Sequence, residues 1–328
     1  MNSLGRYLND QIRIHGPLSI AGYMATALGH PQWGYYTSRD PLGRSGDFTT
    51  APEISQMFGE LIGLWCADRW RSMGAPRQFI LAELGPGRGT LIADALRAAA
   101  ALPGFNDAAE VHLVETSAVL RAAQEMSLEG QRASWHERVE DLPEGPVIAV
   151  ANEFFDALPI RQFQATADGW HERLVDADET GFHLVLSPQA TPSAVIPHAA
   201  LGDIFEISPP RDATISELSR RIADRGGAAL IIDYGHEVSS MGDTLQAMHG
   251  HKYTNPLQNP GDADLTAHVD FQALRQAVES TGAVSHGPVI QGSFLGQLGI
   301  TLRADRLRAG ATTAQITNID SAMLRLTA

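Results

Sequence analysis

The residues in this sequence that are best suited to chemistry surround a glycine-rich turn. An apolar run from Phe79 to Leu84 leads into Gly85, Gly87 and Gly89, and a helical pattern follows from Thr90 to Ala101. The order of strand, glycine turn and helix is typical of the first unit of a nucleotide-binding α/β fold. Glycines allow a ligand to approach the backbone, and the free N–H groups at the start of the helix then face that ligand. A plain structural turn is the alternative interpretation.

Two acidic residues near this turn distinguish between possible ligands. A dinucleotide-binding turn has the pattern G-x-G-x-x-G, but here Thr90 stands where the third glycine should be, and Glu83 comes two residues before the first. A buried carboxylate is costly beside a pyrophosphate and suits a cationic ligand better. Glu115 ends a second apolar run, Val111–Val114, at the position where ribose hydroxyls are usually held. Together these features favour S-adenosylmethionine, which carries a sulfonium and an ammonium group, over NAD. For Glu115 alone, an exposed acid at a strand end is the alternative.

A second polar group follows a later apolar run. Asn152, Glu153 and Asp156 come directly after the residues Val147–Ala151. In a doubly wound sheet, ligands bind at the carboxyl ends of the strands, so we expect these side chains at the mouth of the same site. The alternative is structural: Asn152 would cap a helix, and the two acids would lie in its first turn, where the helix dipole favours them.

A third candidate is a long segment rich in aromatic residues and glycine, which runs from Trp33 to Tyr36 and from Gly43 to Glu53. It contains Asp47 and Phe48. Long loops in compact domains are often functional. We therefore expect this segment to contribute to the site, although a structural cover over the fold is the alternative.

The elements that must position these residues alternate along the chain. Apolar runs that read as strands are separated by helical patterns, which predicts a parallel, doubly wound sheet. Residues 1–30 predict two short helices, and apolar residues at helical spacing predict a core-facing helix from Ile54 to Trp70. Short alternating segments between about 160 and 210 predict an inserted antiparallel β region. A long active-site loop is expected over 236–266, and a final strand with one or two helices over 283–328.

Composition limits the class of protein and its partners. The 328 residues are 44% hydrophobic and 19% charged, as expected for a packed globular protein, and the net charge of −14 argues against binding nucleic acid. The single cysteine, Cys66, excludes a disulfide within the chain and a cysteine-rich zinc site, and no metal-ligand spacing is present. We find no secretory signal and no apolar run long enough to cross a membrane. These features predict a cytoplasmic protein with no membrane insertion and no metal.

Five stretches in matching order resemble the MidA-like family of class I S-adenosylmethionine-dependent methyltransferases, which is related to the arginine methyltransferase that acts as an assembly factor of mitochondrial complex I. The resemblance extends from about Ile14 to Gly299, and its motifs are Gly46–Ser55, Glu83–Thr90, Asn152–Pro159, Ile232–Gly235 and Asp264–Phe271. It implies a Rossmann-like α/β fold with a mostly parallel, seven-stranded sheet. It also implies an N-terminal helical cap (residues 1–75) and a methyltransferase domain (76–328) that contains the β insertion.

The activity implied by the resemblance is N-methylation of arginine in a protein, in mitochondria a complex I subunit. We then expect Glu153 to clamp the guanidinium or act as the base, with Asp156 or Asp47 as its partner. For the cofactor we expect Asn152 nearby, Phe48 beside the sulfonium, Glu83 at the cationic end, Glu115 at the ribose, and Gly85, Gly87 and Gly89 around the turn. The alternatives are a small-molecule methyltransferase, a non-catalytic assembly protein with the same fold and, least favoured, a nicotinamide oxidoreductase.

Overall fold

The structure, a computed structural model, describes residues 1–38, 50–192 and 199–327. Its N-terminal part is mainly helical, as the sequence predicts. Two of these helices begin at polar caps, because the side chains of Asn2 and Ser19 accept hydrogen bonds from the N–H groups of Gly5 and Gly22. The elements are α1 (Ser3–His15), β1 (Leu18–Ser19), α2 (Ile20–Gly29), α3 (Tyr35–Ser38), α4 (Ala51–Ile54) and α5 (Gln56–Ser72).

The next region contains the strands that the apolar runs predict, each followed by a helix or short turn. The first and last of its strands are buried over their whole length, as continuous apolar runs in a parallel sheet should be. The elements are β2 (Phe79–Leu84), α6 (Thr90–Ala99), α7 (Phe105–Ala108), β3 (Ala109–Val114), α8 (Ala118–Ser127), β4 (Ala133–His136) and β5 (Val147–Asn152).

The antiparallel strands predicted between residues 160 and 210 are present. They form one sheet with the short N-terminal strand β1, in which Leu18 lies opposite Val175. The inserted strands are β6 (Arg161–Thr166), β7 (Gly169–Asp178), β8 (Gly181–Leu186) and β9 (Ile204–Ile207). The insertion and the N-terminal helices therefore pack as one unit.

The C-terminal part returns to the parallel sheet and then becomes helical. Its elements are α9 (Pro209–Arg225), β10 (Gly227–Ile232), β11 (Gly235–His236), β12 (Gln246–His249), β13 (Lys252–Thr254), β14 (Asp264–Thr266), β15 (Val269–Asp270), α10 (Phe271–Ser280), α11 (Gln291–Gln297), α12 (Ile300–Arg308) and α13 (Thr313–Thr327). The region expected to be a long loop contains the small antiparallel sheet β13-β12-β14. The final strand expected over 283–328 is wrong for the described residues there, because Leu295, Ile300 and Leu326 face the core from helices instead.

The parallel sheet brings four strand ends to one edge. Its order is β10-β5-β2-β3-β4, and the described chain supplies five of the seven strands that the resemblance implies. Leu84 lies opposite both Val114 and Ala151, and Ile232 lies opposite Asn152. The residues that follow β2, β3, β5 and β10 are therefore brought together at the carboxyl edge.

The three larger of the four hydrophobic cores in the described residues hold the layers together. One face of the sheet packs against α5 and α6, and this core contains Cys66 as a buried thiol, as predicted. The other face packs against Ile215 and Leu218 of α9 and Leu274 of α10. The third core joins α1 and α2 to the inserted strands. The carboxyl edge of the sheet is thus covered by the N-terminal helices and the insertion.

Candidate functional site

A cavity of about 770 Å³ lies at the carboxyl edge of the parallel sheet. Its walls come from the glycine turn, from the ends of β3, β5 and β10, and from the N-terminal helices α2 and α3. The described part of its lining contains eight acidic residues but only two arginines, Arg88 and Arg138. The cavity therefore favours a ligand with positive charge.

The glycine turn forms one wall in a conformation that suits glycine. Gly85, Gly87 and Gly89 have φ values of +60°, +54° and +78°, in the left-handed region. A Cβ atom on Gly85 would lie 2.7 Å from the Phe154 ring, closer than packing allows. The N–H of Gly85 donates to the carbonyl of Val114 at 3.0 Å, which fixes the turn to the end of β3. The turn thus requires glycine at the positions where the sequence has it, while its contact with a ligand stays a prediction.

Glu83 lies beneath this turn with one unsatisfied oxygen. Its side chain is buried, and Oε2 has no hydrogen-bond partner among the described residues. Burial raises the pKa of Glu83 to about 8, while the backbone N–H of Ile92 opposes the rise. A cationic group beside this carboxylate would stabilise its charged form, so the residue fits a cationic ligand.

Glu115 is also buried, and Gln124 connects it to the glycine turn. The Oε1 atom of Glu115 accepts from the N–H of Ser117 at 2.8 Å. The Gln124 Nε2 group donates to Glu115 Oε2 at 3.2 Å and to the carbonyl of Gly87 at 2.7 Å, and Gln124 Oε1 accepts from Trp135 Nε1 at 2.8 Å. Burial raises the pKa of Glu115, and these hydrogen bonds limit the rise.

Gln124 is a site residue that the sequence motifs do not include. One feature of the sequence could have revealed it: Gln124 comes four positions after Leu120, and this spacing places both residues on the buried face of α8. A fully buried glutamine there requires hydrogen-bond partners, and the glycine turn and the strand-end acid supply them.

Asn152 and Glu153 lie at the end of β5, beside the glycine turn. Glu153 has a φ of +50°, which is unusual for a residue other than glycine and is a form of strain found at functional sites. Among the described residues, its Oε1 accepts two long hydrogen bonds, from the N–H of Ala51 at 3.5 Å and from Asn152 Nδ2 at 3.4 Å. Burial raises the pKa of Glu153. Within the described structure the Oδ1 atom of Asn152 is buried without a partner.

Asp156 belongs to a group of carboxylates that includes Asp233. The Oδ2 atom of Asp233 accepts from the N–H groups of Phe155 and Asp156 at 2.9 and 3.2 Å, so it fixes the turn that follows Glu153. Burial raises the pKa of Asp233 to about 7. Burial, followed by the charges of Asp233 and Asp264, raises the pKa of Asp156 well above its ordinary value. These carboxyl groups therefore take up protons more readily than exposed ones.

A buried arginine holds the backbone around this group. Arg211 donates to four backbone carbonyls: Phe155 at 2.6 Å, Asp156 at 3.2 Å, Ala267 at 2.8 Å and His268 at 2.7 Å. These bonds join the turn after β5 to the segment between β14 and β15. Arg211 cannot be recognised from the sequence, because nothing in a helical run of mixed charge marks one arginine as buried.

The N-terminal part supplies two further walls. The Tyr36 hydroxyl donates to Asp264 Oδ1 at 2.7 Å, and Glu53 accepts from Thr90 Oγ1 at 2.6 Å. Glu53 also lies 3.7 Å from Arg88 of the glycine turn. The predicted site residues Asp47 and Phe48 lie outside the described residues. Seven predicted site residues line one cavity: Glu83, Gly85, Gly87, Glu115, Asn152, Glu153 and Asp156. Gly89 does not line it and instead packs against Gln124 of α8.

The residues present fit S-adenosylmethionine. The turn leaves no room for a side chain at Gly85, Glu83 offers an oxygen without a partner, and Glu115 offers a buried carboxylate at a strand end. In residues 1–38, 50–192 and 199–327, no group of three or more His, Cys, Asp or Glu side chains is arranged to hold a metal ion. In the same residues, no helix has the length and apolar character needed to span a membrane.

Comparisons with known proteins identify the family to which the chain is similar. Residues 61–289 match the family model described as "Putative S-adenosyl-L-methionine-dependent methyltransferase". A Drosophila melanogaster protein named "Protein arginine methyltransferase NDUFAF7 homolog, mitochondrial" is 41% identical over 94% of this chain and 78% of its own length. The Homo sapiens protein arginine methyltransferase NDUFAF7, also named mitochondrial, is 41% identical over 91% of this chain and 74% of its own.

A solved structure has the same fold. A crystal structure of a Burkholderia thailandensis protein bound to S-adenosyl-homocysteine superimposes with a TM-score of 0.84 and 28% identity, and it covers 99% of this chain and 87% of the other. One expectation is overturned by the comparisons: the cytoplasmic location is contradicted, because the curated relatives are named as mitochondrial proteins. That expectation depended on finding no signal, and such an absence does not determine a location.

Proposed function

The chain belongs to the MidA-like family of class I S-adenosylmethionine-dependent methyltransferases, and we propose that it methylates arginine side chains of a protein. The observation that supports this acceptor is the pair of carboxylates, Glu153 and Asp156, in the same cavity as the glycine turn. The relatives named as protein arginine methyltransferases support it further, since they are 41% identical over more than nine tenths of this chain.

The cofactor supplies an electrophilic methyl group. In our proposal, Gly85, Gly87 and Gly89 let it approach the backbone, Glu83 pairs with its cationic end, and Glu115 accepts hydrogen bonds from its ribose. Gln124 keeps Glu115 and the turn at a fixed separation, because one amide group bonds to both. Asn152 adds a polar group with an unused oxygen at the end of β5. Phe48 remains a predicted wall of the sulfonium site.

The acceptor needs help because a guanidinium is a poor nucleophile. Its pKa above about 12 keeps it protonated at neutral pH. In our proposal, Glu153 and Asp156 accept hydrogen bonds from the guanidinium and orient one nitrogen toward the methyl group. One of the two acids takes the proton that this nitrogen loses as its bond to the methyl carbon replaces the carbon–sulfur bond. The raised pKa values of both acids make them better proton acceptors than exposed carboxylates. Asp47 remains a predicted partner of Glu153.

We also propose that the acceptor protein is a subunit of respiratory complex I. This part is carried by the resemblance to the assembly-factor methyltransferase. It predicts that a complex I subunit, purified from cells that lack this protein, accepts methyl groups in vitro. Labelled subunits would be identified by electrophoresis, and the modified arginines by mass spectrometry.

The function is tested by the substitution Glu153→Gln. We expect methyl transfer from radiolabelled S-adenosylmethionine to fall about 100-fold or more, since an acid–base group typically contributes 10²–10⁴-fold. Binding of the cofactor, measured by calorimetry, should remain near that of the unmodified protein. The matched control is Glu129→Gln, which replaces an exposed glutamate on the surface and should retain activity.

Two outcomes would contradict the proposal. Full turnover by Glu153→Gln would remove Glu153 from the mechanism. Efficient methylation of free arginine, with none of any arginine-containing protein or peptide, would instead favour a small-molecule methyltransferase.

A further inference from the structure

Two large aromatic side chains stand at the mouth of the cavity. Tyr234 is 62% exposed and Tyr253 is 72% exposed, yet both line the cavity that contains Glu153. Tyr234 follows directly after Asp233 at the end of β10, and Tyr253 lies in β13 opposite Met248. Such exposure shows that neither ring is packed in a core, so both rings are accessible to a ligand in the cavity.

The carboxylates of the site act on Tyr234. The negative charge of Glu153 is the largest cause that raises the pKa of Tyr234 to about 12, and burial and the charges of Asp156 and Asp233 add to it. The phenol therefore stays neutral at physiological pH and lies close to the acids. Tyr253 is near enough for its charge to contribute as well. The mouth thus combines neutral aromatic rings with negative charge.

Asp156 is an unused acceptor in this arrangement. Its side chain is only 7% exposed, it lines the cavity, and its carboxyl oxygens accept no hydrogen bond from any residue that the structure describes. Burial of a carboxyl group is costly, and a hydrogen-bond donor from a ligand would reduce that cost. The two acids and the two rings together match the chemistry of a planar cation.

We propose that Tyr234 and Tyr253 select a guanidinium over an ammonium for the acids Glu153 and Asp156. This rests on the proposed function and names the residues that set its specificity. A guanidinium is planar and weakly hydrated, so it stacks on aromatic rings and donates in pairs to carboxylates, whereas an ammonium is compact and strongly hydrated. Because the lining is strongly acidic, acceptor arginines flanked by acidic residues are disfavoured.

The experiment measures binding rather than turnover. The protein saturated with S-adenosyl-homocysteine is titrated by calorimetry with two capped tripeptides, Gly-Arg-Gly and Gly-Lys-Gly. We expect the unmodified protein to bind the arginine peptide more tightly than the lysine peptide. Tyr234→Ala and Tyr253→Ala should each weaken binding of the arginine peptide by about 3- to 30-fold, the range of a cation–π contact. Binding of the lysine peptide should change little. The variants Tyr234→Phe and Tyr253→Phe keep the ring and should keep the preference.

Leu302→Ala removes an equally exposed hydrophobic side chain on α12 and should change neither affinity. An unchanged preference in both alanine variants, an equal loss for both peptides, or weaker binding of S-adenosyl-homocysteine would overturn the inference. So would an unmodified protein that binds neither peptide. If that protein binds the arginine peptide selectively but transfers no methyl group to any arginine substrate, the proposed function fails while the selective subsite stands.

Discussion

Glu83 carries an electrostatic cost in the ligand-free protein. Its carboxyl group is buried with an unpartnered oxygen, and its pKa is raised from about 4.5 to about 8. Because the neutral form is the favoured one in the fold, the contribution of this group to stability is full below about pH 4.5. It declines as the pH rises toward 8 and changes little above that. Glu83 therefore suits ligand binding better than it suits the stability of the ligand-free protein.

The substitution Glu83→Gln should therefore stabilise the ligand-free protein and weaken binding of the cofactor. Above pH 8 we expect a gain of about 1–3 kcal/mol in the free energy of unfolding, the size of one unsatisfied buried group, and a smaller gain near pH 5. Urea unfolding at both pH values measures the gain, and calorimetry measures the loss of S-adenosylmethionine affinity. Glu110→Gln, at the exposed start of β3, is the control. A variant less stable at high pH than the unmodified protein would show that Glu83 is already paired.

Glu153 shows how strain accompanies the site. A positive φ costs of order 1–3 kcal/mol for a residue with a side chain. The neighbouring structure holds this conformation, because the N–H of Glu153 donates to the carbonyl of Ile232 at 2.8 Å and Asp233 fixes the following turn. The strain turns the side chain of a strand-end residue into the cavity, where its role as clamp stays a prediction.

At the scale of elements, the glycine turn is held in place by the helix that follows it and by α5 behind. The helices α5 and α6 approach so closely that a Cβ atom on Gly63 would lie 2.4 Å from the carbonyl oxygen of Ala95. Thr90, the first residue of α6, also lines the cavity. The packing of α5 therefore sets the position of the turn, although α5 lies outside the sequence motif. The division of the chain between residues 75 and 76 stays a prediction.

Two glycine substitutions test this close approach. Gly63→Ala should destabilise the protein by about 1–3 kcal/mol, because the added methyl group must push the two helices apart. It should also weaken S-adenosylmethionine binding, since the start of α6 moves. Gly296→Ala, in a helical position of α11 with nothing near the added Cβ atom, should be neutral or stabilise by up to about 1 kcal/mol. Thermal unfolding with and without the cofactor measures both effects. Equal stability of the two variants would contradict the close packing.

At the scale of the whole molecule, charge is distributed to attract cations. The net charge is −14, and the described lining of the cavity has eight acidic residues against two arginines. Field lines concentrate in a cleft lined by one sign of charge, which raises the local concentration of an oppositely charged substrate. A cationic acceptor segment is therefore attracted before any contact is made.

This attraction should depend on salt. For a peptide of net charge near +3 that contains one acceptor arginine, we expect kcat/KM to fall about threefold or more between about 50 mM and about 300 mM NaCl, because salt screens long-range attraction. A peptide with the same arginine but acidic flanks should react poorly, and adding salt should help it rather than harm it. Initial rates with radiolabelled S-adenosylmethionine measure both. Identical salt dependence for the two peptides would show that the field of the cavity does not steer the substrate.

The sequence determined the features that depend on short stretches of chain. Apolar runs followed by Gly85, Gly87 and Gly89 predicted the strand, turn and helix, because only glycine adopts these conformations without strain. The positions of Glu115 and Glu153 at the ends of apolar runs predicted that both acids lie at the carboxyl edge of the sheet, because parallel strands end at one edge. The inserted strands were also predicted, from their alternating pattern.

The tertiary structure alone decided which distant side chains complete the cavity. Tyr36 and Asp264 are 228 positions apart in the chain yet share a hydrogen bond, and Arg211 and Gln124 become visible as site residues only when their buried partners are known. The final strand was predicted wrongly because apolar residues alone do not separate a strand from a buried helix. In the C-terminal region, these apolar residues lie on helices that pack against α5 and the first core. Local patterns specify elements, whereas burial and hydrogen-bond partners depend on contacts between segments that no local pattern relates.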